Sequence, residues 1–188
     1  MTIGINQVTF GMALNIDGDV YLVADYQHVK PGKGSAICRI KLRNIRTDTV
    51  LERTFRTADK LEDIPLEEQE LEYLYNTGDL YHFMNHVTYE QIEIPLGVLS
   101  GGEKFLLENL TVTGLVLEHK VLKIILPIFI EAEIIESDPG IKGDSSRAGT
   151  KSAKIATGAT VQVPLFVNQG DWIKIDTRSG QYVERIQK

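Results

Sequence analysis

The chain has 188 residues, 43% of them hydrophobic and 24% charged, which is typical of a folded protein with one to three domains. Its single cysteine, Cys38, excludes an internal disulfide framework and any metal site made of several cysteines. A net charge of −6 argues against binding to duplex nucleic acid over the whole surface.

Membrane contact is not expected. The first residues lack the basic and apolar regions of a secretory signal. The longest apolar run, 121–132, is too short to span a bilayer and is interrupted by Lys123, Pro127 and Glu131. We therefore expect a cytoplasmic protein.

Charge is distributed unevenly along the first eighty residues. Between His28 and Arg56 there are eight basic residues against two acidic ones. Between Glu62 and Asp79 there are seven acidic residues and no lysine or arginine. This separation predicts a cationic end and an anionic middle, with a polyanion contacted at one end only.

The cationic region contains the clearest predicted hairpin. Strands are predicted over 20–26 and 36–43, joined by a tip with the sequence Val29-Lys30-Pro31-Gly32-Lys33-Gly34, whose glycines suit a tight turn. The second strand alternates, with Ala36, Cys38, Ile40 and Leu42 on one face. Arg39, Lys41 and Arg43 share the other face with Ile37, so burying the first face exposes a row of cations.

Short strands continue along the rest of the chain. Hairpins are predicted over 70–85, around Thr77-Gly78-Asp79, and over 110–126, around Glu118-His119-Lys120. Further strands are predicted over 129–137, 160–167, 171–176 and 181–186, with a long loop at 138–150; segment 97–109 fits either a short helix or a loop. The pattern predicts a mostly β protein of three small barrels, 1–64, 65–127 and 128–188, with boundaries near Pro65 and Pro127.

Catalytic motifs are missing from the sequence. Lys33 lacks the upstream glycine of a phosphate-binding loop, and no Gly-x-Ser-x-Gly elbow occurs. His82 and His86 are four residues apart, but on a strand we interpret them as exposed side chains rather than metal ligands. Asp138 and Asp144 are interpreted as turn residues rather than catalytic ones. We predict no enzymatic activity, no cofactor and no metal.

Lys33 is the residue that the pattern singles out. Glycine on each side lets the tip approach a partner closely while the ammonium group points forward. The hairpin begins in the cationic strand, which favours entry into a phosphate-rich cleft, with Arg39, Lys41, Arg43 and Arg46 contacting RNA backbone. A solvated lysine at a turn and a merely soluble strand face are the alternative interpretations.

Several motifs in order resemble the bacterial translation elongation factor P family, from about Gly11 to Lys188. The first is the hairpin motif followed by Lys41-Leu42-Arg43-Asn44. The second comprises Tyr73-Leu74-Tyr75, His82-Phe83-Met84 and Thr88-Tyr89-Glu90-Gln91. The third comprises Pro139-Gly140-Ile141-Lys142-Gly143-Asp144, Val163-Pro164-Leu165-Phe166 and the run from Ile175 to Val183.

The resemblance implies an SH3-like (KOW-like) first domain and two OB-like domains in an L-shaped arrangement similar to transfer RNA. It implies a monomer that binds ribosomal RNA of the 70S ribosome and a peptidyl or initiator tRNA between the peptidyl and exit sites, and relieves stalling at consecutive prolines. Lys33, presented by Lys30, Pro31, Gly32 and Gly34, matches the lysine that contacts the CCA end and is modified, commonly by a β-lysyl ligase. Gly143, Asp144 and Ser145 match a loop near exit-site messenger RNA.

Two departures and two alternatives accompany the resemblance. Ser145 replaces the usual threonine, and Lys151-Ser152-Ala153-Lys154 replaces a proline-containing stretch of the same loop. One alternative is a related factor with different stalled substrates. The other is a ribosome-independent OB protein that binds single-stranded RNA through aromatic side chains, with candidates Tyr73, Tyr75, Tyr81 and Phe83.

Overall fold

The computed structural model describes residues 1–29, 36–138 and 149–187. Within these ranges the chain forms three antiparallel sheets, and its only helices are 3-10 turns of three residues, Ile5–Gln7, Leu96–Val98 and Glu103–Phe105. None of these helices has the length or apolar character needed to cross a membrane. The predicted mostly β fold of small barrel-type domains is confirmed.

The first sheet has six strands in the order β1-β6-β2-β3-β4-β5. Their bounds are β1 Thr2–Gly4, β2 Ala13–Ile16, β3 Asp19–Val29, β4 Ile37–Asn44, β5 Val50–Arg56 and β6 Lys60–Ile64. The predicted strands at 20–26 and 36–43 are confirmed as β3 and β4. Cys38, Ile40 and Leu42 are fully buried, as their alternation predicted, and they pack with Leu14 and Val23 in one apolar cluster.

The second sheet has five strands in the order β11-β10-β7-β8-β9. Their bounds are β7 Glu67–Thr77, β8 Leu80–Asn85, β9 Gln91–Pro95, β10 Thr111–Leu117 and β11 Lys120–Ile125. Both predicted hairpins are confirmed. Gly78 has φ 63°, which suits the left-handed residue of a tight turn. The segment 97–109, which fits either a short helix or a loop by sequence, contains the end of one 3-10 turn, a second 3-10 turn and irregular chain.

The third sheet has five strands in the order β14-β13-β12-β15-β16. Their bounds are β12 Phe129–Ser137, β13 Thr150–Ile155, β14 Thr160–Pro164, β15 Trp172–Asp176 and β16 Gln181–Ile186. The two edge strands, β14 and β16, contact each other, so the sheet curls toward a barrel around a buried apolar cluster. Lys151-Ser152-Ala153-Lys154 lies on β13 and not in a loop, which corrects the prediction.

Two compact units are present, 1–69 with 114–123, and 70–113 with 124–188. Within the first unit, the Lys123 ammonium forms an ion pair with Asp48 in the turn between β4 and β5. The three sheets fall within 2–64, 67–125 and 129–186. The first compact unit contains residues 114–123, which belong to the second sheet. The three-domain division at 64 and 127 therefore stays a prediction.

The turn between β15 and β16 is closed by a carboxylate and a guanidinium. Asp176 Oδ1 accepts hydrogen bonds from the Arg178 backbone N at 2.9 Å and from Arg178 Nε at 3.1 Å. Asp176 Oδ2 accepts a third from Arg178 Nη2 at 2.6 Å. The Arg178 guanidinium is the main reason that the pKa of Asp176 is lowered to about 2.

We predict that Arg178→Gln raises the pKa of Asp176 toward its ordinary value of 3.8, measured by NMR titration of the carboxyl group. A folded-state pKa below the unfolded value stabilises the protein above the unfolded pKa, and this stabilisation disappears as pH falls through the folded pKa. The stability difference between wild type and variant should therefore shrink between about pH 4 and pH 2. Arg185→Gln, on the adjacent strand, should leave the Asp176 pKa unchanged; an unshifted Asp176 pKa in Arg178→Gln would contradict the assignment.

Candidate nucleic-acid interface

The hairpin of β3 and β4 carries the candidate interface. The two strands pair from Tyr21↔Asn44 to Val29↔Ile37. The tip residues Lys30, Pro31, Gly32, Lys33 and Gly34 lie outside the described residues, so their predicted roles stay predictions. The described pairing ends at Val29 and Ile37, one on each side of the segment 30–35.

An exposed row of cations runs along β4, as the alternation predicted. Arg39, Lys41 and Arg43 are exposed, while the residues between them are buried. Within 1–29, 36–138 and 149–187, none of these three side chains forms an ion pair. Side chains two residues apart on one strand face project to the same side about 7 Å apart. The three cations of the row can therefore bind several negatively charged groups at the same time.

Neighbouring strands make the three positions electrostatically different. Lys41 stands in register between Asp25 on β3 and Glu52 on β5. A small cavity of about 150 Å³ lies among these side chains and Arg39. The two carboxylates offset the Lys41 charge, so we expect Lys41 to attract phosphate less than its neighbours do.

Arg39 and Arg43 have uncharged neighbours in the sheet. Arg39 lies opposite Gln27 on β3 and Thr54 on β5, and Arg43 lies opposite Leu22 and Val50. No carboxylate lies directly opposite either arginine, so their charge is offset less than that of Lys41, and their forked donors suit a phosphate group. We infer that the arginines of this row are its stronger anion-binding positions.

Arg56 is a further candidate that sequence reasoning did not select. It lies at the end of β5, opposite Ile37, and it is exposed on the same face as Arg39. The signal that identifies it is the β4–β5 register, which depends on a strand that was not predicted. Arg56 extends the cationic row toward the segment that contains Lys33.

Arg46, the fourth predicted contact, is placed differently from the row. It follows β4 and forms an ion pair with Asp19 at 3.0 Å, with side chains 67% and 49% exposed. Exposed ion pairs contribute only about 0–1 kcal/mol, so a phosphate can displace the aspartate at small cost. Arg53, at 2.7 Å from Asp17, is paired in a similar way on the opposite face of β5.

The aromatic residues of the second sheet do not form an exposed stacking surface. Phe83 and Tyr73 are buried, with ring centroids 5.4 Å apart. Tyr75 is exposed, but its ring stacks on His82 at 4.4 Å. The alternative of a single-stranded RNA-binding module needs open aromatic faces beside cations, and the burial of Tyr73 and Phe83 argues against it.

The two histidines of interest have local partners. The prediction that both are exposed is wrong for His82, which is buried and shares a hydrogen bond of 2.9 Å with Thr77 Oγ1. His86 Nε2 lies 2.9 Å from Glu72 Oε2 and is half-buried. Groups of three or more potential metal ligands do not occur among the residues that the structure describes.

The second predicted contact region lies between β12 and β13. Gly143, Asp144 and Ser145 lie outside the described residues. The strands that flank them are joined by an ion pair of 2.7 Å between Lys154 and Glu136. Asp138, the alternative catalytic candidate, donates its backbone N–H to the Ser152 carbonyl at 3.0 Å. Nothing in these contacts provides a partner for acid–base chemistry within the described ranges.

Three family models match the chain in succession. The elongation factor P KOW-like domain matches residues 5–61, the elongation factor P OB domain matches 66–124, and the elongation factor P C-terminal model matches 124–185. An elongation factor P from Caldanaerobacter subterraneus subsp. tengcongensis is 45% identical, covering 94% of this chain and 95% of its own length. That from Moorella thermoacetica is 45% identical, with 97% and 99% covered.

Two solved structures of translation initiation factors share the fold over about two thirds of this chain. A translation initiation factor 5A from Methanococcus jannaschii superposes with a TM-score of 0.50 at 25% identity, covering 66% of this chain and 94% of that chain. A member of the same initiation factor family from Naegleria fowleri gives a TM-score of 0.53 at 14% identity, covering 67% and 98%.

Proposed function

The chain belongs to the elongation factor P family, and on this premise we propose that it binds the 70S ribosome between the peptidyl and exit sites. There it holds the CCA end of peptidyl-tRNA and stimulates peptide-bond formation at consecutive prolines. The observation that carries the proposal is the exposed cationic row of β4, which forms no ion pair with the part of the chain that the structure describes and lies on the strand that follows the segment containing Lys33. The chain acts as a translation elongation factor, a class that supplies no catalytic group of its own.

The proposed mechanism is positioning. Proline is a poor acceptor, and a nascent chain that ends in prolines misaligns the reacting atoms. Fixing the CCA end reduces the entropic barrier to attack geometry. A tenfold rate increase needs only about 1.4 kcal/mol, and one charge-assisted hydrogen bond contributes roughly 1.5–3 kcal/mol. A Lys33 side chain extended by a β-lysyl group would reach further toward the tRNA.

The same position on the ribosome implies further contacts with RNA. Arg39, Lys41, Arg43 and Arg46 bind RNA backbone, and Arg56 adds a further cation on that face. Gly143, Asp144 and Ser145 approach exit-site messenger RNA. The protein acts in the cytoplasm as a monomer of three domains, 1–64, 65–127 and 128–188, and a β-lysyl ligase modifies Lys33.

We predict that replacing Arg39, Lys41 and Arg43 together by glutamine weakens binding to 70S ribosomes and reduces its salt dependence. Each phosphate contact contributes about 0.7–0.9 to the slope of log K against log salt, so three lost contacts should reduce the slope by about two to three. Cosedimentation at several salt concentrations measures both quantities. Among single variants, Arg39→Gln should weaken binding more than Lys41→Gln, because Lys41 lies between two carboxylates.

Arg53→Gln is the matched control for Arg39→Gln. Each substitution removes one positive charge, but Arg53 lies on β5 and on the opposite face of the sheet. An unchanged salt slope in the triple variant would show that the row is only a solvated face. Equal weakening by Arg53→Gln and Arg39→Gln would assign the effect to net charge.

A further inference from the structure

The turn after β8 is rigid and displays apolar side chains. Asn85 Oδ1 accepts hydrogen bonds from the backbone N–H groups of Val87 at 2.8 Å and Thr88 at 3.1 Å. Tyr89 N donates to the Asn85 carbonyl at 2.9 Å, and Asn85 N donates to the Glu90 carbonyl at 3.0 Å. Four bonds centred on one asparagine fix the path of the chain.

The turn after β4 has the same construction. Asn44 Oδ1 accepts from Arg46 N and Thr47 N at 2.9 and 3.0 Å, and Asp48 N donates to the Asn44 carbonyl at 3.0 Å. In both turns the fifth residue has a left-handed backbone, with φ 55° at Asp48 and φ 58° at Tyr89. Asp tolerates this conformation, whereas a bulky aromatic residue is disfavoured there.

Tyr89 therefore occupies a strained position, and no contact among the described residues compensates for the strain. Tyr89 is 74% exposed and Val87 is 83% exposed. Across the described part of the chain, the Tyr89 side chain forms no hydrogen bond or ring contact. At the equivalent position of the first turn, Asp48 forms an ion pair with Lys123. A disfavoured, exposed aromatic on a rigid turn indicates a role in binding.

The acidic residues around the turn favour a positively charged partner. His86, at the start of the turn, lies 2.9 Å from Glu72 and 4.0 Å from Glu70, and Glu90 follows Tyr89. Between positions 70 and 102 the chain has acidic residues but no lysine or arginine. RNA phosphates would be repelled here, whereas a basic protein surface would be attracted.

We propose that Val87 and Tyr89 insert into an apolar recess on a basic protein of the ribosome. This inference rests on the proposed ribosome binding and adds a protein contact to the RNA contacts of the first sheet. The hydrogen-bonded turn fixes the backbone at Tyr89 and directs its side chain into solvent, where an aromatic anchor of an interface is expected.

Three substitutions at one position test the inference. Tyr89→Asn should raise the melting temperature by roughly 2–4 °C, because asparagine tolerates the left-handed conformation. The same variant should bind 70S ribosomes about tenfold more weakly in a cosedimentation assay, because the aromatic anchor is lost. Tyr89→Ala should weaken binding without the thermal gain, and Tyr89→Phe should retain binding since it keeps the ring.

A photo-crosslinking residue at position 88 identifies the partner class. Crosslinking to a ribosomal protein supports the inference, whereas crosslinking to ribosomal RNA or tRNA overturns it. Wild-type affinity of both Tyr89→Asn and Tyr89→Ala also overturns it, while leaving ribosome binding intact. Failure of the wild-type chain to cosediment would instead refute the proposed function itself, so the two failures are distinguishable.

Discussion

Lys33→Ala is expected to abolish the rescue of polyproline synthesis and to leave the free energy of unfolding unchanged. The substitution removes the cation that, on the proposed function, contacts the tRNA; the flanking Gly32 and Gly34 add no side-chain bulk beside it. Pairing of β3 with β4 extends to Val29 and Ile37, so we expect these strands to hold the hairpin in the variant. The measurements are peptide synthesis through consecutive prolines in a reconstituted system and urea unfolding.

The size of the effect follows from the positioning argument. Losing one or two charge-assisted hydrogen bonds of roughly 1.5–3 kcal/mol each reduces the rate by at least about tenfold. Substitutions at exposed positions away from special structure change stability by about 0.5 kcal/mol or less. A large loss of rescue without a loss of stability would separate a functional tip from a structural one.

Two further variants sharpen the test of Lys33. Lys60→Ala removes an exposed lysine on β6 of the same sheet and should retain full rescue. Lys33→Arg keeps a positive charge but lacks the primary amine that a β-lysyl group would acylate. Full rescue by Lys33→Ala would refute the role of the tip. Full rescue by Lys33→Arg would show that charge alone suffices.

Strands with a clear periodic pattern could be predicted from the sequence. In β4 the alternation of apolar and cationic residues determines both the strand and its buried face, because one face must be removed from water. The hairpin of β7 and β8 is similarly evident from its turn, where Gly78 supplies the left-handed residue. These elements depend mainly on local sequence.

Strands that depend on distant partners could not be predicted. Strand β5, Val50–Arg56, is an exposed edge strand without strict alternation, and it forms because β4 offers a pairing edge. Strand β13, Thr150–Ile155, is rich in polar residues and was assigned in part to a loop. It is held between β12 and β14, and that pairing buries even Lys151.

The candidate interface was predictable in part for the same reason. The exposure of Arg39, Lys41 and Arg43 follows from the periodicity of one strand. The carboxylates beside Lys41 could not be inferred, because they depend on the register of β5 and on an irregularity in β3 between Val23 and Asp25. The distinction between Lys41 and its arginine neighbours therefore comes from tertiary structure.

Phe83→Ala is expected to destabilise the second sheet by about 3–5 kcal/mol, the usual cost of deleting a fully buried aromatic side chain. Phe83 lies on β8, paired with Tyr73 on β7 and Ile92 on β9, and no part of its surface is accessible to solvent. The deletion leaves a cavity beside the Tyr73 ring that a central strand cannot close. Urea unfolding, with amide hydrogen exchange of β7–β9, measures and locates the loss.

Leu80→Ala is the matched control, since Leu80 is on the same strand but 41% exposed, and it should cost well under half as much. Equal destabilisation by both variants would contradict the packing described for β8.

Phe83→Ala and Lys33→Ala are expected to lose activity in two different ways. Phe83→Ala should reduce rescue only under conditions in which the sheet unfolds, whereas Lys33→Ala should abolish rescue while the fold is intact. Because a buried ring acts through stability and a tip cation acts through contact, cooling the assay should restore the first variant and not the second.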